Sequence, residues 1–239
     1  MKKKLTITIA SILSVIVIIG VGFAAWVITN PKVEDTADGS ISVETVTDKS
    51  YTLTAEIAEN DNTIVFGKPA NATTEGKWFT FDSSTKEEKL EATLTLTVKY
   101  NGTIADVGEI TLTMATLNGG SDTNFASLVG AGYIVNPSVY KGNTNLGKLK
   151  VNDSESKITL NGSDFLDNTE TKEATLTLTI KFGWGDHFKV EQTNVNPFDF
   201  YNAKTYTEGH NDAVTVLTEL AKLNGVSYKV TVTGTTTAA

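Results

Sequence analysis

His187 and His210 are the only histidines of the 239-residue chain, and they are where acid–base or metal chemistry would first be sought. They stand 23 residues apart, without the i, i+4 spacing that sets two imidazoles on one helix face beside a zinc ion. Either could pair with a nearby carboxylate, Asp186 or Glu208, although a solvated loop histidine is the simpler reading of both. There is no cysteine, which excludes disulfides, thiolate metal sites and a cysteine-borne lipid anchor. No Gly-x-Ser-x-Gly nucleophile elbow, P-loop or Gly-x-Gly-x-x-Gly turn occurs. Gly183-Trp184-Gly185 is too short to cradle a nucleotide and reads instead as a bend or bulge closing a strand. Asp/Asn clusters at 119–124, 152–155 and 161–168 offer oxygen ligands that calcium could use. None has EF-hand spacing, and turn formation accounts for them equally well. No catalytic residue, cofactor or resident metal is therefore assigned, and the chain is read as a non-enzyme.

Aromatic side chains could bind a ligand instead. Trp78, Trp184 and Tyr201 would support a carbohydrate-binding surface if exposed; the competing reading packs them inside. Phe188, Phe198, Phe200 and Tyr201 cluster around Asn196-Pro197 in a segment, His187–Asn202, that reads as a long packed loop.

Charge narrows the partners. All 20 basic residues are lysine and the formal net charge is −8, so nucleic acid is an unsuitable partner. Without arginine, the chain also lacks the bidentate fork that grips phosphates and carboxylates. Threonine occurs 38 times, and its branched side chain suits a half-buried pleated surface.

The N-terminus sets the compartment. Lys2, Lys3 and Lys4 precede an uncharged apolar run, Leu5–Ile28, of 24 residues, long enough for a bilayer of about 30 Å. Residues 1–28 thus read as a signal peptide or an N-terminal membrane anchor. Gly22 and Ala24 supply small residues for cleavage between Ala24 and Ala25 by a signal peptidase. Both readings leave the lysines cytoplasmic and the rest outside, extracellular or at the cell surface. Cleavage would remove three lysines and no acid, taking the charge from −8 to −11.

Residues 29–39 read as a linker, 40–234 as a single β-sandwich domain and 235–239 as a flexible tail. Period-two alternation recurs at Ser40–Thr47, Ser50–Ala58, Lys77–Phe81, Glu109–Leu117, Tyr133–Val135, Lys148–Val151, Lys157–Leu160 and Val226–Thr233. Such strands, wet on one face, build antiparallel sheets. The expected fold is all-β, an antiparallel sandwich or jelly roll of roughly ten strands. One helix is expected before the last strand, at Asp212–Asn224, capped by Asn211 or Asp212, and a weaker helical turn at Asn124–Val129.

One strand is written twice. EATLTLTVKY at Glu91–Tyr100 returns as EATLTLTIKF at Glu173–Phe182, with eight of ten positions identical. The flanking sequences do not match, and the helical pattern occurs once. That favours two similar long central strands of one sandwich over a duplicated domain.

The N-terminal layout resembles the TasA/camelysin family of exported Firmicutes surface proteins. The resemblance rests on Lys2–Lys4, the run Leu5–Gly22, Phe23-Ala24-Ala25-Trp26, the charged stretch Glu34–Gly39 and the alternation Ser40-Ile41-Ser42-Val43, about 45 residues in all. It implies processing by a dedicated signal peptidase and assembly into matrix fibres on the bacterial cell surface. The freed segment, here Ala25 to about Asp38, would complete a neighbour's sheet. The expected function is an exported structural protein that self-associates into matrix fibres, as in a biofilm. The alternative is an adhesin or carbohydrate-binding sandwich tethered to the membrane through residues 5–28.

Overall fold

The computed structural model describes residues 22–23, 26–29, 32–36, 51–57, 63–82, 84–116, 121–224 and 228–236. Its strands, in chain order, begin with β1 (Gly22–Phe23), β2 (Trp26–Thr29), β3 (Lys32–Thr36) and β4 (Tyr51–Ile57). Next come β5 (Thr63–Phe66), β6 (Thr80–Phe81), β7 (Glu91–Tyr100) and β8 (Val107–Thr116). After helix α1 (Ser121–Gly130) follow β9 (Ile134–Lys141), β10 (Thr144–Lys148), β11 (Ile158–Leu160), β12 (Leu166–Asn168) and β13 (Glu173–Trp184). The hairpin β14 (Lys189–Val190) and β15 (Thr193–Asn194) leads into α2 (Pro197–Asn202), α3 (Tyr206–Leu220) and the last strand, β16 (Tyr228–Thr236).

Two larger sheets dominate this β-rich fold. The larger runs β10-β9-β13-β7-β4, with β12 also on β13, and every pairing in it is antiparallel. The smaller runs β11-β8-β16-β3; only β3 on β16 is parallel. Inward side chains of both sheets join one apolar cluster, among them Leu94, Leu96, Leu178, Ile110, Leu112 and Val230. Each fully buried leucine contributes about 1.5–3 kcal/mol of transfer free energy.

The duplicated strands are neighbours. β7 and β13 pair antiparallel at the centre of the larger sheet, in a register that sets threonine against threonine and leucine against leucine. Thr95 pairs with Thr177, its own counterpart in the other copy, and Leu94 with Leu178. The ends match in charge: Lys181 Nζ lies 2.7 Å from Glu91 and Lys99 Nζ 3.1 Å from Glu173. The pair therefore has a local pseudo-two-fold axis normal to the sheet, because a sequence that alternates and ends in opposite charges is self-complementary when reversed.

Several expectations are corrected. The anchor or signal assigned to 1–28 ends in strands, since Gly22–Phe23 is β1 and Trp26–Thr29 is β2; residues 1–21 and the Ala24–Ala25 cleavage pair lie outside the described residues. The linker assigned to 29–39 contains β3. Thr235 and Thr236, assigned to the tail, belong to β16, and residues 237–239 lie outside the described residues. The expected strand at Ser40–Thr47 also lies outside the described residues. Lys148–Val151 is not a strand, although β10 ends at Lys148. The long loop at 187–202 instead folds into a hairpin and α2, where the Asn196 side chain accepts from Phe198 N and Pro197 occupies the first turn. The main helix starts at Tyr206, not Asp212, because Thr205 and Glu208 form a capping box.

Candidate functional site

Two regions carry the residues singled out from sequence. The first is an aromatic cap at the C-terminal end of β13. The lysine–threonine pattern ends at Lys181, and the apolar face continues through Phe182 to Trp184. A register shift against β9 falls between Lys181 and Gly183, the bulge that Gly183-Trp184-Gly185 foretold. There Trp184 packs edge-on to Phe66 (5.0 Å between centroids) and Phe188 (5.5 Å). The ring contacts continue from Phe188 to Phe200 and on to Tyr201, Phe79, Trp78 and Tyr206.

Of the two readings of these aromatics, packing inside is the one that Trp184 and Tyr201 follow. Trp184 is 5% exposed, Tyr201 is fully buried and Trp78 is half-buried, with its indole N–H donating to the Lys204 carbonyl at 3.0 Å. Apolar rings at the end of a buried strand face gain more by packing under α2 and α3 than by standing in water.

Polar groups are threaded through this cap. Glu88 Oε2 accepts from Trp184 Nε1 at 2.5 Å and from Asn196 Nδ2 at 2.7 Å, while Asn196 Nδ2 also donates to the Gly67 carbonyl at 2.6 Å. Burial pushes the Glu88 carboxyl above the usual carboxylate range; its two donors oppose that shift and the nearby Asp199 adds to it. This node ties the 67–89 segment to β13 and to the start of α2.

At the cap's edge, Asp212 gathers the other ionisable groups. Its Oδ2 accepts from the Tyr201 hydroxyl at 3.0 Å and lies 3.5 Å from His187 Nε2 and 3.9 Å from Lys204 Nζ. The carboxylate facing His187 is thus Asp212 rather than Asp186, at ion-pair distance and without a hydrogen bond to Nε2. Burial, with the Asp212 charge and hydrogen bond, drives the Tyr201 hydroxyl far above its usual range, so it remains a donor. Lys204 Nζ also lies 4.1 Å from the Phe200 ring centroid. His187 is wedged among Tyr133, Phe188 and Phe200, and His210 stacks on Tyr206 rather than meeting His187 in a pair. The arrangement pins α3 to α2 and to the 186–188 turn.

The Asp/Asn clusters at 152–155 and 161–168 act as turn caps, while residues 121–124 of the first cluster open α1. Asp153 Oδ1 accepts from Glu155 N, Asn168 Oδ1 from Glu170 N, and Asp164 accepts from Asn161 N and pairs with Lys141. Among the described residues no three His, Cys, Asp or Glu side chains gather as metal ligands would.

The second region is the outer face of the larger sheet. Thr52, Lys99 and Glu173 form one row, Thr54, Thr97, Thr175 and Leu166 the next, and Glu56, Thr95 and Thr177 a third. Thr93 and Thr179 follow beside Tyr140, then Glu91 and Lys181 beside Ser138. Thr177, at the centre, is exposed. Sequence reading found the threonines but not their alignment into rows, nor Glu88, whose partners lie 96 and 108 residues away.

No protein-family model matches the chain, and neither a curated protein nor a solved structure does. Fold and site define a β-rich protein whose two antiparallel-dominated sheets share a core, with one aromatic end closed and one threonine face open.

Proposed function

We propose that the chain is an exported cell-surface structural protein, a sandwich of jelly-roll type behind a cleavable N-terminal signal, that self-assembles into fibres. The resemblance of the first 45 residues to TasA/camelysin proteins motivates it. The observation that carries it is β3. Lys32–Thr36, a few residues beyond the Ala24–Ala25 position, lies parallel on β16 at the edge of the smaller sheet. A strand added at an edge by its backbone can be supplied equally by a neighbouring copy. Pro31, which cannot donate to a ladder, falls between β2 and β3 rather than inside either.

The same segment supports release over a membrane tether. Trp26–Thr29 pairs with Thr63–Phe66, and an extended backbone there cannot also complete a membrane helix through Ile28. The carbohydrate-binding reading is the weaker of the two, because Trp184 and Tyr201 are buried and Trp78 is half-buried.

The test is the N-terminal sequence of the native protein together with electron microscopy of the processed form. A start at Ala25 and the appearance of fibres are expected. An intact Met1 or Lys2 would overturn release. A processed protein that stays monomeric and fibre-free across pH, salt and concentration would overturn assembly.

A further inference from the structure

We infer that the outer face of the larger sheet is a self-association face that takes a second copy of this chain, the two sheets meeting face to face about a two-fold axis parallel to β7 and β13. The inference rests on the assembly reading above and names a contact distinct from edge-strand addition.

Charge complementarity is the argument. The four corners of the β7–β13 grid are Glu91 and Lys181 at one end, Lys99 and Glu173 at the other. Going round the rectangle, the signs alternate. Their side chains are 59%, 41%, 66% and 37% exposed respectively, so all can reach outward. The corners lie about 5 Å apart across the strands and about 27 Å along them. Turn a second copy over about an axis along the strands, and Glu91 meets the other copy's Lys181 while Lys99 meets its Glu173. All four corner contacts join opposite charges, as an isologous interface requires. Between them, Thr95 faces Thr177 and the methyl-bearing threonine rows meet one another.

Two further residues fit that orientation. Leu166 is 79% exposed and shares a row with Thr175, Thr97 and Thr54. The axis along the strands lays it over the partner copy's Thr54, which covers an otherwise wet leucine. Glu56, exposed beside Thr95, rejects the perpendicular in-plane axis, which would set it against its own copy. The three strands β4, β7 and β13 offer about 400–500 Å² per copy, at the low end for a specific contact. The pair is therefore weak alone and gains from repetition along an assembly.

The test uses the full chain in one non-ionic detergent, by sedimentation at about 0.15 M salt, where the Debye length is about 8 Å and contact charges outweigh distant ones. Glu91→Lys/Glu173→Lys makes all four corners positive, and Lys99→Glu/Lys181→Glu makes all four negative. Each is expected to lose self-association by tenfold or more while melting as a folded protein. The first should lose it although its net charge moves from −8 towards zero, which by itself would favour association. Mixing the two should restore complexes of one copy of each. Glu91→Lys/Lys99→Glu, neutral in net charge, should also lose association, and retention there would overturn the proposed axis. If wild type associates but both like-charged variants match it, or their mixture stays apart, the face is wrong and the assembly reading stands. A wild-type chain that is monomeric at every concentration overturns both.

Discussion

β13 joins two regions of opposite character. At its Glu173 end it lies in a regular lattice of threonines and paired charges, wet on the outside. At its Trp184 end it enters an irregular aromatic cap in which almost every ring is covered. In the cap Glu88, Tyr201 and Asp212 are tied into hydrogen bonds, whereas the lattice leaves its charges at the rim. Burial makes polar groups depend on particular partners; exposure leaves them available to another molecule. The cap is thus where stability concentrates, and the lattice is where association can occur without disturbing the fold.

The sharpest way to break this contrast is truncation on each side. Tyr201→Ala or Phe188→Ala should destabilise by about 3–5 kcal/mol in urea unfolding, because both side chains are fully buried. Thr177→Ala should move stability by no more than about 0.5 kcal/mol. Equal costs would erase the distinction. Next, Glu88→Ala should cost about 1–3 kcal/mol, since the buried Trp184 indole N–H loses its acceptor.

The same carboxyl supplies a pH test. Its folded pKa is raised, so between pH 4.5 and that raised value the native state binds more protons than the unfolded one, and stability falls as pH rises. Glu88→Gln keeps an acceptor oxygen and should remove that slope, so its melting temperature gains on wild type as pH climbs from 4.5 to 7. A constant difference would mean that Glu88 does not titrate as its burial requires. A smaller effect, about 1 kcal/mol, is expected for Thr205→Ala, which removes the α3 cap and the Glu208 bonds. The smallest belongs to the lattice: Glu91→Gln should cost at most about 1 kcal/mol in thermal melting, because the Lys181 pair it breaks is solvent-exposed.

Local pattern carried much of this architecture. The alternation of Glu91–Tyr100 and Glu173–Phe182 named both long strands, and every inward residue of that alternation is buried. The helix before the last strand was legible from Ala213, Val216, Leu217 and Leu220, all of them buried. Its start was misread because Asn211 and Asp212 are good caps in isolation, while Thr205 and Glu208, the pair that caps it, lie beyond the apolar periodicity. Asn196-Pro197 is a readable helix start inside a segment whose irregular pattern otherwise reads as a loop. Tyr100 illustrates the opposite limit. Its hydroxyl donates to Asp167, 67 residues away, and that bond pushes its pKa up to about 12, which spacing along the chain does not disclose.

By itself, then, the sequence determined the period of each strand, the side of it that is buried, and the charges at its ends, because these follow from neighbours one to four residues apart. Only the tertiary structure decided that the two copies of EATLTLT lie side by side in reverse order, so that Glu91 meets Lys181 and Lys99 meets Glu173. It also decided that Trp184 packs on Phe66 and Phe188 and bonds to Glu88. Those contacts join residues 74 to 96 positions apart, and they form because closing the chain around one core pairs polar groups and covers apolar faces together.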